Sequence, residues 1–154
     1  MEYSCSFRTP IGPLTVVVDE AVRAVRFGAS APQVDAVSGL PPLLRQAVEE
    51  LREYFAGTRR DFTVPLAPAG TPFQQQVWAA LREIPYGETS TYGRIAARIG
   101  RPGACRAVGM ANNRNPIAIL IPCHRVVGST GALTGYAAGL PIKEQLLQLE
   151  AQNK

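Results

Sequence analysis

Residues 91–112 read TYGRIAARIGRPGACRAVGMAN, and this stretch sets the architecture of the second half of the chain. Ile95, Ala96 and Ile99 recur on one side of a short helix over 91–99. Gly100-Arg101-Pro102-Gly103 is a tight turn, and a second short helix runs from Ala104 to about Asn112. Helix, glycine-containing turn, helix is the helix-turn-helix pattern. The second helix is unusual for a reader of the major groove. Ala104, Ala107, Gly109 and Ala111 are small, and few long polar side chains are available to reach base edges. Small residues let a backbone approach closely, which suits a shallow or narrow groove better than a deep one. Two core helices with no nucleic-acid role are the alternative reading of the same pattern.

Downstream, the apolar run Ile117 to Ile121 has strand length and delivers Pro122-Cys123-His124-Arg125 at its end. His124 is the only histidine in the chain and follows one of its three cysteines. A free thiol titrates near pH ~8.5 and is a weak nucleophile until a neighbouring imidazole or positive charge makes it a thiolate. The adjacency therefore marks Cys123 as a candidate nucleophile, against the plainer reading of a core cysteine beside a surface histidine. A loop rich in glycine follows (Gly128, Gly131, Gly135, Gly139). Pro141 then opens a last helix with Ile142, Leu146 and Leu149 inward.

Upstream, Thr71 can cap a helix, Pro72 suits its first position and Gln74 completes a capping box. Phe73, Val77, Ala80, Leu81 and Ile84 form its apolar stripe, and Pro85-Tyr86-Gly87 stops it. Leu66-Ala67-Pro68-Ala69-Gly70 is the best domain boundary, giving domains 1–69 and 70–154. The first half reads as strands and one helix. Leu14 to Val18 and Ala21 to Phe27 form a hairpin around Asp19-Glu20, residues 28–42 are loop, and Asp61 to Pro65 adds a strand. Between them Leu44, Ala47, Val48, Leu51 and Phe55 recur at helical spacing, ended by Gly57.

The 154 residues suffice for one large domain or two small ones. No apolar run approaches the roughly 18 residues of a membrane span, and Met1-Glu2-Tyr3 begins no signal peptide. An odd cysteine count argues against a disulfide framework, so an intracellular, cytoplasmic protein is expected. One histidine and dispersed cysteines offer no metal-binding spacing, and neither metal nor cofactor is expected. The net charge of +4 is modest, but Arg94, Arg98, Arg101, Arg106, Arg114 and Arg125 all fall in the second half. That suits a phosphate-binding surface or an ordinary soluble face.

Arg106-Ala107-Val108-Gly109, Asn115-Pro116, Ile121-Pro122-Cys123-His124-Arg125-Val126-Val127-Gly128 and Thr134-Gly135-Tyr136, taken together, resemble the O6-alkylguanine-DNA alkyltransferases. The likeness is dense from about Gly70 to Glu150 and looser before it, where Pro10 to Thr15 carries most of it. It implies an N-terminal ribonuclease-H-like α/β domain and a mainly α C-terminal domain with a winged-helix-like helix-turn-helix. It implies a monomer acting on double-stranded DNA that contains O6-alkylguanine, through the minor groove, without a cofactor. The alkyl group would pass to Cys123 in a single irreversible turnover.

Residue by residue, the resemblance makes His124 the general base acting through a water, and makes Glu150 the group behind its imidazole. Helix electrostatics bear on Glu150 too: an acid near a helix C-terminus opposes the macrodipole and invites a functional explanation, whereas Glu144, in the first turn, has a structural reason to exist. Lys143 shares a face with Glu150 and could assist at O6. Arg106 matches the finger that fills the space of a flipped base, on a helix whose Ala107 and Gly109 admit the backbone to the groove. Tyr92 matches a tyrosine that donates to guanine N3 and rotates the phosphate. Asn115 links the helix-turn-helix to the cysteine segment and contacts the thiol. Tyr136 walls the pocket, the carbonyls of Cys123 and Val126 accept from the exocyclic amine, and the Ala137 N–H donates to O6. Arg125 is expected in a structural salt bridge or in hydrogen bonds to the loop. Ala137 and Ala138 depart from the small hydroxyl or glycine followed by glycine of many relatives, so Ala138 should narrow the pocket. A non-catalytic binder of alkylated DNA and a cysteine hydrolase are the competing readings. The first would lack the cysteine, and the second leaves the helix-turn-helix without a purpose.

Overall fold

The computed structural model describes residues 1–154, which form two compact units: residues 1–69 with 116–120, and residues 70–115 with 121–154. The linear boundary at Gly70 leaves out the return of 116–120 to the first unit.

In the first unit, β1 (Tyr3–Phe7), β2 (Leu14–Val18) and β3 (Val22–Phe27) make an antiparallel sheet in that order. The hairpin expected around Asp19 and Glu20 is β2–β3. Its Asp19 carboxylate accepts from the Ala21 N–H and the Arg23 guanidinium, which fixes the turn. β1 has no clean alternation, and the sequence reading passed over it; pairing with β2 through Tyr3–Val18 to Phe7–Leu14 creates it. Every residue of the central β2 is buried, which explains why four of its five residues are apolar. Its Thr15 hydroxyl hydrogen-bonds Ser6 Oγ and donates to the Gly28 carbonyl, so the buried polar group is satisfied. Helix α1 (Pro42–Phe55) buries Leu44, Ala47, Val48, Leu51 and Tyr54. At Gly57, φ is +79°, a conformation that favours glycine, where the helix gives way to a turn.

Two expected strands are absent, for local reasons. Over 61–65, the Thr63 N–H donates to the Glu50 carboxylate of α1 at 2.9 Å instead of to a neighbouring strand. Glu50 also accepts from the Thr63 hydroxyl and from Gln46. Burial pushes its carboxyl up, but these hydrogen bonds and the Arg59 charge outweigh burial and hold it below the usual range. Over 117–121, Val25 donates to the Pro116 carbonyl and accepts from Ala118, so only a short bridge to β3 forms. The chain then turns sharply: Leu120 N–H donates to the Ala118 carbonyl at 2.8 Å across Ile119, whose φ is +71°. That is a γ-turn with a β-branched residue in a strained region.

In the second unit, α2 (Pro72–Leu81) begins with the reciprocal capping box of Thr71 and Gln74. Val77, Trp78, Ala80 and Leu81 are its buried face; Phe73, expected there, is half-buried and lies under the Arg101 guanidinium. Thr91 caps α3 (Tyr92–Arg98), a turn over 100–103 follows, and α4 is Cys105–Asn113. Trp78 Nε1 donates to the Ala111 carbonyl at 2.9 Å, tying α2 to α4. β4 (Ser90–Thr91) pairs in parallel with β5 (Val126–Val127), joining the start of the helix pair to the segment after the cysteine. α5 (Leu140–Gln152) closes the unit, with Leu146 buried and Ile142 and Leu149 half-buried. Glu144 lies one position beyond the first turn of α5, which begins at Leu140, so the macrodipole argument applies to it only weakly.

Candidate active site and nucleic-acid interface

The nucleophile candidate is presented by a turn, not by a strand end. Pro122 has φ −80° and ψ 64°, and the Cys123 N–H donates to the Ile121 carbonyl at 2.7 Å. This is an inverse γ-turn, for which the proline ring presets φ. A single 3-10 turn (Cys123–Arg125) follows, closed by the Val126 N–H on the Cys123 carbonyl. Such a pair of turns lets His124 and Arg125 reach Glu150 while Cys123 faces Asn115, Tyr136 and Lys143. Two asparagines of the helix-turn-helix brace it: Asn115 Nδ2 donates to the Ile121 carbonyl at 2.8 Å, and Asn112 Nδ2 to the Cys123 carbonyl at 3.4 Å.

Behind the cysteine lies a buried charged cluster centred on Glu150, whose Oε2 is 2.7 Å from His124 Nε2. Arg125 donates Nε to Oε1 at 2.8 Å and a terminal nitrogen to Oε2 at 3.0 Å, a two-pronged pairing. The Gly87 N–H adds a fourth bond at 3.3 Å, and the other end of Arg125 donates to the Ile84 carbonyl at 2.7 Å. Burial pushes the Glu150 carboxyl up, but the hydrogen bonds and charges of His124 and Arg125 override it and hold it at about 2. An ionised carboxylate can only accept, so Nε2 of His124 carries its proton and Nδ1 bears the free lone pair. That Nδ1 is buried and has no hydrogen-bond partner. Burial is also the main influence on the imidazole, lowering its pKa against the pull of Glu150, so at neutral pH it is uncharged.

The thiol departs from the sequence expectation of acidification by its neighbour. Burial pushes the Cys123 thiol up; hydrogen bonds from Asn115 and Tyr136 and the Lys143 charge pull against it without prevailing. The folded protein thus holds a protonated thiol and a neutral imidazole. Lys143 is fully buried, and its Nζ donates to the Thr134 carbonyl at 2.8 Å, 5.9 Å from the centre of the Tyr136 ring. The Tyr92 hydroxyl donates to the same carbonyl at 3.4 Å. Burial lowers the Lys143 pKa, and the nearby thiolate position raises it. Val126 is buried, Tyr136 and Ala138 are half-buried and Ala137 is exposed.

On α4, Arg106 and Ala107 are exposed and Gly109 is half-buried, whereas Val108, Ala111 and Asn112 face inward. A Cβ at Gly109 would lie in ordinary contact with the Tyr92 ring, at 3.9 Å, so α4 packs at this position against Tyr92 of α3. Met110, four residues after Arg106, is a large exposed apolar residue on the same face. Sequence reasoning missed three parts of the site. The Ile84 carbonyl and the Gly87 N–H are backbone groups that no residue type announces. Asn112 did carry a signal: it is a polar residue on the inward stripe of α4.

Together these features define a class: a protein with a buried cysteine, histidine and glutamate beside a helix-turn-helix. Comparison with known proteins makes the class specific. Residues 3–68 match the ribonuclease-like domain and residues 72–152 the DNA binding domain of 6-O-methylguanine DNA methyltransferase. A methylated-DNA–protein-cysteine methyltransferase of Methanosarcina acetivorans is 53% identical over 152 residues, covering 96% of this chain and 97% of the relative. The crystal structure of Mycobacterium tuberculosis O6-methylguanine methyltransferase superposes with a TM-score of 0.87 at 44% identity, covering 100% of this chain and 95% of that one. A structure of the M. tuberculosis protein OGT in complex with DNA superposes equally, at 45% identity over 97% and 93%. The chain belongs to the 6-O-methylguanine DNA methyltransferase family, with its ribonuclease-like and DNA-binding domains in that order. No helix is long and apolar enough to cross a membrane.

Proposed function

We propose that this protein repairs DNA by taking the alkyl group of O6-alkylguanine onto Cys123, once per molecule. The observation that carries the proposal is the His124–Glu150–Arg125 cluster directly behind a buried Cys123, in a chain whose relatives bear the name of this activity. The target atom is stacked inside the duplex, so the base must be flipped out, at a cost of a few kcal/mol. α4 enters the minor groove with Ala107 and Gly109 against it, and the planar guanidinium of Arg106 occupies the vacated stack. Tyr92 donates to guanine N3 and helps rotate the phosphate. In the pocket Tyr136 forms a wall, the Ala137 N–H donates to O6 and the Val126 carbonyl accepts from the exocyclic amine.

Sγ of Cys123 attacks the alkyl carbon as the C–O6 bond breaks, and the electron pair of that bond goes to the guanine. The thiol proton moves through a bridging water to His124 Nδ1, giving an imidazolium that the ionised Glu150 stabilises. Lys143 favours both the thiolate and the departing O6. The guanine takes a proton from water in place of the alkyl group, and the imidazolium returns its proton to water. The thioether has no acid or base step that would return the thiol, which makes the protein a consumed reagent. Incubation with a duplex carrying radiolabelled O6-methylguanine, followed by tryptic digestion, tests this. Label on the Cys123 peptide at one equivalent or less is expected, and turnover beyond one equivalent overturns the proposal.

Further outcomes follow from the same geometry. Arg106→Ala should slow repair in duplex DNA far more than reaction with free O6-methylguanine, because only the duplex has a stack to fill. Single-turnover rates on both substrates compare the two. Ala138→Gly should raise the rate with O6-benzylguanine, because it removes a methyl from the pocket rim; an unchanged rate would show that the rim is not limiting. The pH profile should be flat through neutrality. His124 is lowered from its ordinary 6.5, so the base is lost to protonation only as pH falls below that value, and single-turnover rates should decline there.

A further inference from the structure

We infer that Met110 reads the undamaged duplex beside the flipped base: its thioether chain lies on the floor of the minor groove, about two base pairs from Arg106, and disfavours a pair that presents a 2-amino group there. This specificity rests on the proposed entry of α4 into the minor groove for dealkylation.

Met110 breaks the pattern of its helix. α4 offers the groove small residues, yet Met110 is large, apolar and 59% exposed. Of the large apolar residues left exposed (Met1, Tyr3, Met110 and Leu140), it alone stands on α4. At about 100° per residue, the exposed Arg106, Ala107, Met110, Asn113 and Arg114 share one arc of about 120°, with Met110 about 40° from Arg106 and near the centre. Val108, Ala111 and Asn112 point the other way. A face that receives DNA through Arg106 and Ala107 therefore receives it through Met110 as well. No acidic residue on α4 opposes the phosphates. A residue that departs from the local rule on such a face is a candidate for function.

The spacing gives its position. Four helical residues rise about 6 Å, and stacked base pairs lie about 3.4 Å apart. With Arg106 in the vacated stack and α4 running along the groove, Met110 meets the floor about two pairs away. Methionine suits a narrow floor because its chain is unbranched and polarizable. It is among the apolar residues that minor-groove proteins press against base pairs. Over A·T, the centre of that floor is the C2–H of adenine, between the N3 and O2 acceptors. Over G·C, the 2-amino group of guanine takes that place, with one hydrogen outside the base pair. A thioether is a weak acceptor. A methionine laid over that hydrogen strips it of water and returns no partner, a loss of about tenfold.

The test uses four duplexes with labelled O6-methylguanine that differ only in the pair two steps from the lesion, varied on each side in turn. The pairs are A·T, G·C, inosine·C, which lacks the amino group, and 2,6-diaminopurine·T, which adds it to an A·T-like pair. At one of the two positions the wild type should react with A·T and inosine·C about tenfold faster than with the other two, in single turnovers below saturation. Met110→Ala removes the chain at an exposed site and favours the helix, so it should bring all four within about twofold. Met110→Gln, whose tip can accept from the amine, should also erase the preference. A wild type indifferent to the amine at both positions overturns the inference, as does a preference that survives Met110→Ala. Titration of the same duplexes at fixed salt with Cys123→Ala reads the preference without transfer. Discrimination in binding with no label on Cys123 from any duplex would refute the dealkylation and leave the role of Met110 standing.

Discussion

Cys123→Ala is expected to abolish alkyl transfer, by about 10⁴-fold or more, while leaving the affinity for duplex DNA within a few-fold of the wild type. In the proposed reaction Sγ is the atom that accepts the group, and the other two cysteines lie on other elements. Cys105 is exposed on α4 and Cys5 is buried in β1 of the other unit. Serine is not expected to rescue. The site already keeps the Cys123 thiol protonated through burial, and an alkoxide, far more basic than a thiolate, would be harder still to form there. The two halves of the prediction are measured separately, transfer by label on protein and affinity by titration of an unreactive duplex at fixed salt, since phosphate contacts make affinity salt-dependent. Residual single-turnover transfer by Cys123→Ala would show that another group accepts the alkyl chain.

Arg125→Ala is expected to destabilise the protein by about 3–5 kcal/mol, the usual cost of removing one partner of a buried ion pair. Arg125 is 6% exposed and Glu150 1% exposed, so water cannot replace the guanidinium. The variant also leaves the Ile84 carbonyl without the donor it now has at 2.7 Å. Acid sensitivity should change with it. Glu150 sits at about 2 in the folded protein against an ordinary 4.5, so its stabilisation is present above pH 4.5 and is lost as pH falls toward 2. His124, lowered from 6.5, acts in the same direction, because acid favours the unfolded chain in which it takes up its proton freely. The Glu150 part amounts to at most about 3 kcal/mol. Arg125→Ala lets the Glu150 carboxyl rise toward its ordinary value, so the stability lost to acid below pH 4.5 becomes smaller. Urea midpoints at pH 7 and pH 4 measure both effects. A midpoint unchanged at pH 7 would mean that the pair contributes nothing net, as some buried pairs do when apolar packing can replace them.

Much of the second unit was legible because its signals are local. A capping box, a proline at the helix start, a glycine turn and apolar spacing act over a few residues, so Thr71 and the turn at 100–103 could be read directly. The placement of His124 against Glu150 was legible through resemblance and through the oddity of an acid at a helix end. The two misread strands share one cause. The segments 61–65 and 117–121 have strand-like composition, but a strand also needs a neighbour with open hydrogen-bonding groups. Glu50 took the Thr63 N–H, and the γ-turn at Ile119 ended the bridge to β3. β1 was overlooked for the complementary reason, since its regularity comes from β2.

By itself, then, the sequence determined which residues could do chemistry: one cysteine next to the only histidine, the helix pair beside them, and the alphabet of small residues and Arg106 on its second helix. These follow from residue type and short spacing, which no distant contact can alter. Tertiary structure alone decided the electrical state of the site. Whether Cys123 is thiol or thiolate, which nitrogen of His124 is the base, and how far Glu150 is held below its ordinary value all depend on burial and on partners brought from Gly87, Asn115, Tyr136, Lys143 and Glu150. Adjacency in sequence suggested an acidified thiol. Burial reversed it, because removing a charge from water outweighs the help of the polar groups that surround the sulfur.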